Sequence, residues 1–212
     1  MTSKITKQTL KKSTRKRREV RREEIVQAAI DVFYNYGFHK ASLRNISDKL
    51  GLTKAAIFYH FPNKEELLFT IVDQATRELL FVLKSSLTND KDPLENLRNL
   101  IINQIHYMKD NMKQVKIMVE DKRFLSGQLL GIIKEQERTM FYLFKSHIEK
   151  LQDMGKLKKF DVNTVTFGIF GMINWLEKWY KPNKKLSLRH IADQIVDILL
   201  NGLLSQEPRI KS

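Results

Sequence analysis

The chain has no cysteine, which excludes disulfides and cysteine-ligated zinc. Only 8 glycines and 4 prolines occur in 212 residues, too few for a turn-rich all-β architecture. No run of 18 apolar residues is present, and the basic N-terminal tract has no apolar segment behind it. Both features speak against a membrane span and a secretory signal, and they predict a cytoplasmic protein without a membrane partner. The five histidines (His39, His60, His106, His147 and His190) lack metal-ligand spacing. No phosphate-cradling glycine-rich loop, nucleophile elbow or pair of carboxylates at an obvious cleft is found. These absences predict no catalysis, no metal and no cofactor.

What is present looks globular. Hydrophobic residues make up 42% and charged residues 29%, in a chain long enough for one large or two small domains with a sizeable core. The net charge is +14, and it is unevenly spread. Residues 1–64 hold 15 Lys/Arg against 5 Asp/Glu, whereas residues 65–212 hold 23 against 19. A strongly basic front joined to a nearly balanced body suggests that the front meets a polyanion. A merely solubilising tail is the alternative.

Apolar spacing is helical throughout, and no segment alternates with period two. Residues 1–18 read as a basic flexible arm, since their crowded lysines and arginines (Lys11, Lys12, Arg15, Lys16, Arg17 and Arg18) repel one another. Ile25, Ala28, Ala29, Val32, Phe33 and Tyr36 then recur at helical spacing, and Gly37 stands where a left-handed cap is expected. Ser42 and Thr53 are N-cap candidates for two short helices, Leu43–Leu50 and Lys54–Phe61, separated by Gly51-Leu52-Thr53. After Pro62, Asn63 and Glu66 form a capping box for a long helix that runs towards Leu87. Asn89–Asp92 is a polar break, and Asp92-Pro93 starts the next helix. Further helical patterns run through Met108, Met118 and Phe124, over Gln128 to about Met154, over about Asn163 to Tyr180, and from Leu188 to Leu204. The expectation is an all-α protein of about nine helices. It divides into the arm (1–18), a helix-turn-helix domain (19–65) and a ligand-binding and dimerisation domain (66–206).

Short helix, glycine turn, short helix is the layout of a DNA-reading helix-turn-helix. Leu43, Ile46, Leu50, Leu52 and Ile57 would pack inwards. Thr53, Lys54, Ala55, Phe58, Tyr59 and His60 would face outwards, where hydroxyl and imidazole groups suit phosphates and small side chains admit base edges. An ordinary helical hairpin with Phe58 and Tyr59 buried is the plain alternative. The stretch from Ala41 to Leu68, with Ile25–Phe33 and Tyr36-Gly37-Phe38 before it, resembles the DNA-binding signature of the TetR family of one-component regulators. The resemblance implies a homodimer that binds double-stranded DNA at a palindromic operator. It also implies phosphate contacts from Ser42, Arg44, Tyr59, His60 and Lys64, with Thr53 and Lys54 opening the recognition helix and Ala55 near the bases. Phe58 stands where a tyrosine is often found, so apolar contact with a thymine methyl would replace a hydroxyl contact. Arg17, Arg18 and Arg21 extend the basic face, and the arm would add salt-sensitive phosphate contacts or enter a minor groove.

The body reads as a small-molecule sensor. Met and aromatic residues concentrate between Ile101 and Phe144, as in adaptable apolar pockets, although core filling is the better explanation of any single one. The pocket candidates are Tyr107, Met108, Met118, Arg123, Phe124, Arg138, Phe141, Phe144, Lys145, Phe170, Asn174, Trp175 and Trp179. The last two apolar helices resemble the TetR-family dimer pair, which implies an interface with Phe167, Gly171, Ile191, Ile195, Leu199 and Leu203. Gly171–Pro182 and Leu186–Asp193 together resemble the C-terminal signature of TetR members that control fatty-acid or sterol degradation and respond to acyl-CoA. The implied effector is a medium- or long-chain acyl-CoA, with Lys122, Arg123, Arg138 and Lys145 as partners for its phosphates. A multidrug-type repressor, with Glu120 and Asp121 available to cationic compounds, stays open, as does a DNA-binding protein without any ligand.

Overall fold

The computed structural model describes residues 2–88, 92–181 and 187–203, with side chains described from Arg15 to Gly202 of these. The polar break at Asn89–Lys91, the Pro182–Leu186 part of the C-terminal signature, Leu204, and the side chains of Lys11, Lys12 and Leu203 lie outside the described residues. The elements are α1 (Thr2–Lys40), α2 (Leu43–Leu50), α3 (Lys54–His60), α4 (Lys64–Ser85), α5 (Pro93–Asp110) and α6 (Met112–Glu120). A 3₁₀ turn (Lys122–Phe124) precedes α7 (Gly127–Asp153), α8 (Val162–Trp179) and α9 (Leu188–Leu203). Among the described residues there are nine α-helices and no strand, as the apolar spacing predicts.

The chain forms two compact units. The front unit contains the residues up to Val72 together with Lys116–Leu130, and the body contains Asp73–Val115 and the residues from Gly131 onwards. The sequence division at residue 65 misses the return of residues 116–130 to the front unit, because that association is made by tertiary contacts far apart in sequence.

Packing of the front unit follows from one apolar stripe. Ile25, Ala29 and Phe33 of α1 are essentially inaccessible, as are Ile46 of α2, Ile57 of α3, and Leu67, Leu68 and Ile71 of α4. At about 3.6 residues per turn the α1 positions lie on one face. The basic segment before them is helical rather than a flexible arm, since α1 begins at Thr2. Lysine, arginine, glutamine and glutamate are good helix formers, and a helix already anchored by packing extends without a new nucleation cost. Pairs within the helix relieve part of the repulsion, with Arg15 2.9 Å from Glu19 and Arg21 2.7 Å from Glu24. Gly37 does not cap α1 in the left-handed helical region. At φ 71° and ψ 152° it kinks the chain, and one further helical turn follows to Lys40. Only glycine adopts that combination readily.

The helix-turn-helix is fixed locally. Ser42 Oγ accepts from Asn45 N (3.2 Å) while Asn45 Oδ1 accepts from Ser42 N (2.9 Å), a reciprocal cap on α2. Gly51 closes α2 in the left-handed conformation (φ 63°, ψ 31°), and Thr53 Oγ1 accepts from Ala56 N at 3.2 Å to start α3. Asn63 Oδ1 accepts from Glu66 N (2.8 Å) ahead of α4.

In the body, α5 packs against α8 and α9. It buries Leu97, Leu100, Ile101, Ile105 and Met108, opposite stripes of Ile169, Ile173 and Leu176 on α8 and of Ala192, Val196 and Leu200 on α9. Ile191 and Ile195 are also buried within the chain, so they serve its own core rather than an interface, and Leu199 is half-buried. A helix that packs inside its own chain carries the same apolar period as one that meets a partner, and the sequence does not separate the two. α7 contributes Ile133, Met140, Phe144, Ile148 and Leu151.

Candidate functional site

The front unit offers a short helix whose outer face is unusually apolar for an exposed surface. Tyr59 is 68% and Phe58 43% exposed, which rules out the hairpin alternative in which both are buried. Lys54 Nζ lies 5.4 Å from the centre of the Phe58 ring, and Ala55 is exposed between them. Three elements converge at the C-terminal end of α3. The Arg18 guanidinium of α1 stands 5.1 Å from the Tyr59 ring centre, and the Tyr59 ring meets His60 edge-on at 5.1 Å. Arg22, the next residue along that face of α1, sits 4.5 Å from the Phe61 ring centre and donates to Thr70 Oγ1 at 3.2 Å. Burial, followed by Arg18, Arg21 and Arg22, holds the His60 imidazole below its usual pKa. His60 Nδ1 is shielded and has no hydrogen-bond partner. Positive charge from Arg18, Arg21 and Arg22 thus gathers beside the exposed end of α3, as suits a phosphate. Arg17 and Arg44 are exposed, with Arg44 3.6 Å from Asp48.

Lys64 departs from its expected role. Its ammonium donates to the carbonyls of Phe38 (2.7 Å), Ala41 (2.9 Å) and His39 (3.4 Å), and it lies 4.2 Å from the Phe38 ring centre. Burial lowers its pKa, opposed by the nearby Asp121 carboxylate. The three protons of the ammonium are therefore committed to the turn between α1 and α2, and phosphate would find only the N-terminal amides of α4 there.

The returning segment 116–130 braces the same turn. Asp121 accepts from Phe38 N at 3.3 Å, and burial raises its pKa, partly offset by that hydrogen bond. Phe124 packs 5.3 Å from Phe38 and 6.2 Å from His39, while Arg123 covers Phe124 at 5.0 Å. Met118, Arg123 and Phe124 thus belong to the front unit rather than with the other pocket candidates. Asp121 is tied to backbone instead of waiting for a cationic compound. No local pattern in the sequence marks this, because the contacts span more than 80 residues.

In the body, several pocket candidates separate. Tyr107 is buried and donates to Ala75 O (3.0 Å) and Glu78 Oε2 (3.1 Å), and burial together with Glu78 raises its pKa. Met108 is buried, Phe144 packs against Phe170 at 4.9 Å, and Phe141 packs against Phe167 at 4.8 Å. Arg138 and Lys145 flank the exposed Tyr142 ring at 5.7 and 5.8 Å. Asn174, Trp175 and Trp179 do not face the interior: all three are exposed, Trp175 by 64%. Phe167, Gly171, Trp175 and Trp179 follow one another every fourth residue, so they form a single outer stripe on α8, with Met172 beside it. A Cβ built on Gly168 or Gly171 would meet nothing within 4 Å. Sequence reasoning also missed Gln104 of α5, a buried glutamine inside an otherwise apolar row.

A preformed helix-turn-helix with a basic, aromatic outer face defines a DNA-binding regulator. The bacterial regulatory proteins, tetR family, profile matches residues 25–71, and the tetracyclin repressor-like, C-terminal domain profile matches residues 90–203. The chain belongs to the TetR family of transcriptional regulators and is not an enzyme. Members of this family bind operator DNA, typically as homodimers with small-molecule effectors. Among curated relatives, the HTH-type transcriptional repressor KstR2 of Mycolicibacterium smegmatis is 23% identical over 192 residues, covering 88% of this chain and 92% of the relative. A tetR-family regulatory protein from Rhodococcus RHA1 superposes with a TM-score of 0.82 at 22% identity, covering 88% of this chain and 98% of that one. AibR in complex with isovaleryl coenzyme A and operator DNA superposes with a TM-score of 0.80 at 25% identity, covering 85% and 98%. No helix among the described residues is long and apolar enough to cross a membrane.

Proposed function

We propose that the protein binds a palindromic operator as a homodimer, represses fatty-acid degradation genes, and is released by a medium- or long-chain acyl-CoA. The observation that carries the DNA half of this reading is the exposed α3 face between Lys54 and His60, with the Arg18–Arg22 row of α1 beside it. Thr53, Lys54, Ala55 and Phe58 meet the major groove. Ser42, Arg44, Tyr59 and His60 meet phosphates, together with Arg17, Arg18 and Arg21 of α1. Because the basic segment is helical, it crosses the backbone as a rod and does not thread a groove as an extended strand.

The partner copy covers the outer stripe of α8. Phe167, Trp175 and Trp179 form an apolar row that a lone chain leaves in water, and Gly168 and Gly171 leave room for a second helix to approach closely. A two-fold axis through that stripe gives two recognition helices and hence an operator with two-fold symmetry.

The acyl-CoA effector is supported by the AibR complex with isovaleryl coenzyme A and by the aromatic packing of α7 against α8. An effector that binds the DNA-free conformation more tightly shifts the dimer away from its operator. The test is operator binding by mobility shift and thermal stability, each measured with acyl-CoAs of rising chain length, free fatty acids, coenzyme A and cationic drugs. Release and stabilisation by long acyl-CoAs, but not by coenzyme A, are expected. Release by drugs with no response to lipids overturns the effector assignment.

A further inference from the structure

The recognition helix carries a restricted set of side chains for reading bases. From Lys54 to His60, α3 holds no arginine, asparagine, glutamine or carboxylate. It therefore lacks the forked donors that pair with guanine, the amides that pair with adenine and the acceptors that pair with the cytosine amine. Ile57 is buried, Tyr59 and His60 lie beside the arginines of α1, and Thr53 Oγ1 accepts from Ala56 N at 3.2 Å. What remains exposed on α3 is Lys54, Ala55 and Phe58. Lys54 and Phe58 are one helical turn apart, and the ammonium rests 5.4 Å from the centre of the ring. Among the described residues Lys54 makes no ion pair, so the helix presents a hydrogen-bond donor next to an apolar plate.

That combination discriminates among the four bases. In the major groove cytosine offers an amine donor, and adenine an amine donor beside its N7 acceptor. An ammonium accepts from neither amine, and neither base has an alkyl group for the ring. Guanine offers two acceptors, which suit Lys54 but give the phenyl ring nothing. Thymine offers the O4 acceptor and, on the neighbouring ring carbon, the C5-methyl group, so it alone engages both members of the pair. The short side chain of Ala55 lets the helix come close to the base edges.

We propose that Lys54 and Phe58 together read one thymine in each half-site, the ammonium donating to O4 and the ring packing against the C5-methyl group. This rests on the DNA half of the proposed function and adds the identity of a base to it. Specificity at that position then depends on a methyl group rather than on a forked hydrogen-bonded pair. A uracil there keeps O4 and loses the methyl; a 5-methylcytosine keeps the methyl and loses O4. The second case makes the protein sensitive to cytosine methylation, because a 5-methylated C·G pair at that position binds better than an unmethylated one.

The test begins with duplexes of random sequence, from which the full chain selects an operator. Each thymine of that operator is then replaced, in both half-sites, by uracil, cytosine or 5-methylcytosine, with the opposite base matched. Affinity is measured for the wild type, Phe58→Ala and Lys54→Met. Replacing one symmetric pair of thymines by uracil is expected to weaken the wild type about fifteenfold, about fourfold for each buried methyl group. At the same place 5-methylcytosine should bind better than cytosine by a similar factor. Phe58→Ala is expected to erase both ratios, and Lys54→Met to shrink the preference for thymine over 5-methylcytosine. The base substitutions act on the wild-type protein, so their result does not depend on how a variant folds. Uracil as good as thymine at every position overturns the methyl contact. A thymine-to-uracil ratio that survives in Phe58→Ala, with the melting temperature checking the fold, overturns the role of Phe58. An unchanged preference for thymine over 5-methylcytosine in Lys54→Met overturns that of Lys54. A wild type that selects no duplex over random sequence instead defeats the operator reading itself, which separates the two failures.

Discussion

The front unit and the body differ in which side chains they turn outwards. In the front unit Ser42 and Asn45 cap each other, Thr53 caps α3, and the Lys64 ammonium gathers three carbonyls of the turn it braces. The backbone is thereby settled from within, and the side chains left over (Lys54, Phe58, Tyr59 and the α1 arginines) point outwards. In the body the surface of α7 carries short-range pairs such as Lys145 with Glu149, and shielded oxygens of Gln104, Gln136 and Glu177 make no hydrogen bond, like Nδ1 of His60 in the front unit. A protein that reads a large rigid polyanion must display fixed donors on its exterior. The contrast shows where to look for the specificity of the front unit: among its exposed residues.

The comparison breaks most severely if the packing beneath the front face is removed. Phe33→Ala empties a fully buried position and is expected to lower stability by about 3–5 kcal/mol, measured by urea unfolding. Lys64→Met asks whether that ammonium serves the fold or the ligand. Loss of its bonds to the carbonyls of the turn is expected to cost about 2 kcal/mol of stability while leaving the salt dependence of operator binding unchanged; a shallower salt slope would return Lys64 to the phosphate. Arg18→Ala should do the reverse. Unfolding is expected to change by less than about 0.5 kcal/mol, and the slope of log affinity against log salt to shrink by about 0.9.

The smallest expected effect concerns His60. Its pKa is depressed in the free protein by burial and by Arg18, Arg21 and Arg22, so the ring is neutral at pH 7. A DNA phosphate placed beside it favours the protonated ring and raises that pKa, so binding takes up a proton. Operator affinity should therefore rise as pH falls below the pKa of the bound form, and should be flat above it. His60→Gln should remove that dependence. A profile identical in both proteins would place His60 away from the phosphate.

Much of the front unit was readable from sequence because its determinants are local. Ser42, Thr53, Asn63 and Gly51 mark helix ends within three or four residues of the groups they satisfy, and the apolar stripe from Ile25 to Phe33 has one period. The body was readable as helices but not as a site. Periodicity places Ile191, Ile195, Trp175 and Trp179 alike on apolar faces, yet two of them turn into the chain and two out of it. Which face turns inwards depends on what α5 presents to α8 and α9. Likewise, nothing near Met118 or Phe124 in the sequence announces that residues 116–130 pack beside Phe38. Gln104 escapes a reading of the sequence for the opposite reason: a lone polar residue in an apolar row lowers the signal of a core helix, and its burial emerges only from the packing of α5.

The helical continuation of α1 has a kinetic consequence. From Thr2 to Glu24 the axis rises about 33 Å, close to one turn of B-form DNA at about 34 Å, and ten lysines and arginines lie along it against three glutamates. Such a rod displaces condensed counterions from a duplex of any sequence, so it favours loose, mobile association over free solution. If α1 meets the duplex as proposed, the search for an operator would proceed largely along the DNA, and ionic strength would set its duration as much as the operator itself.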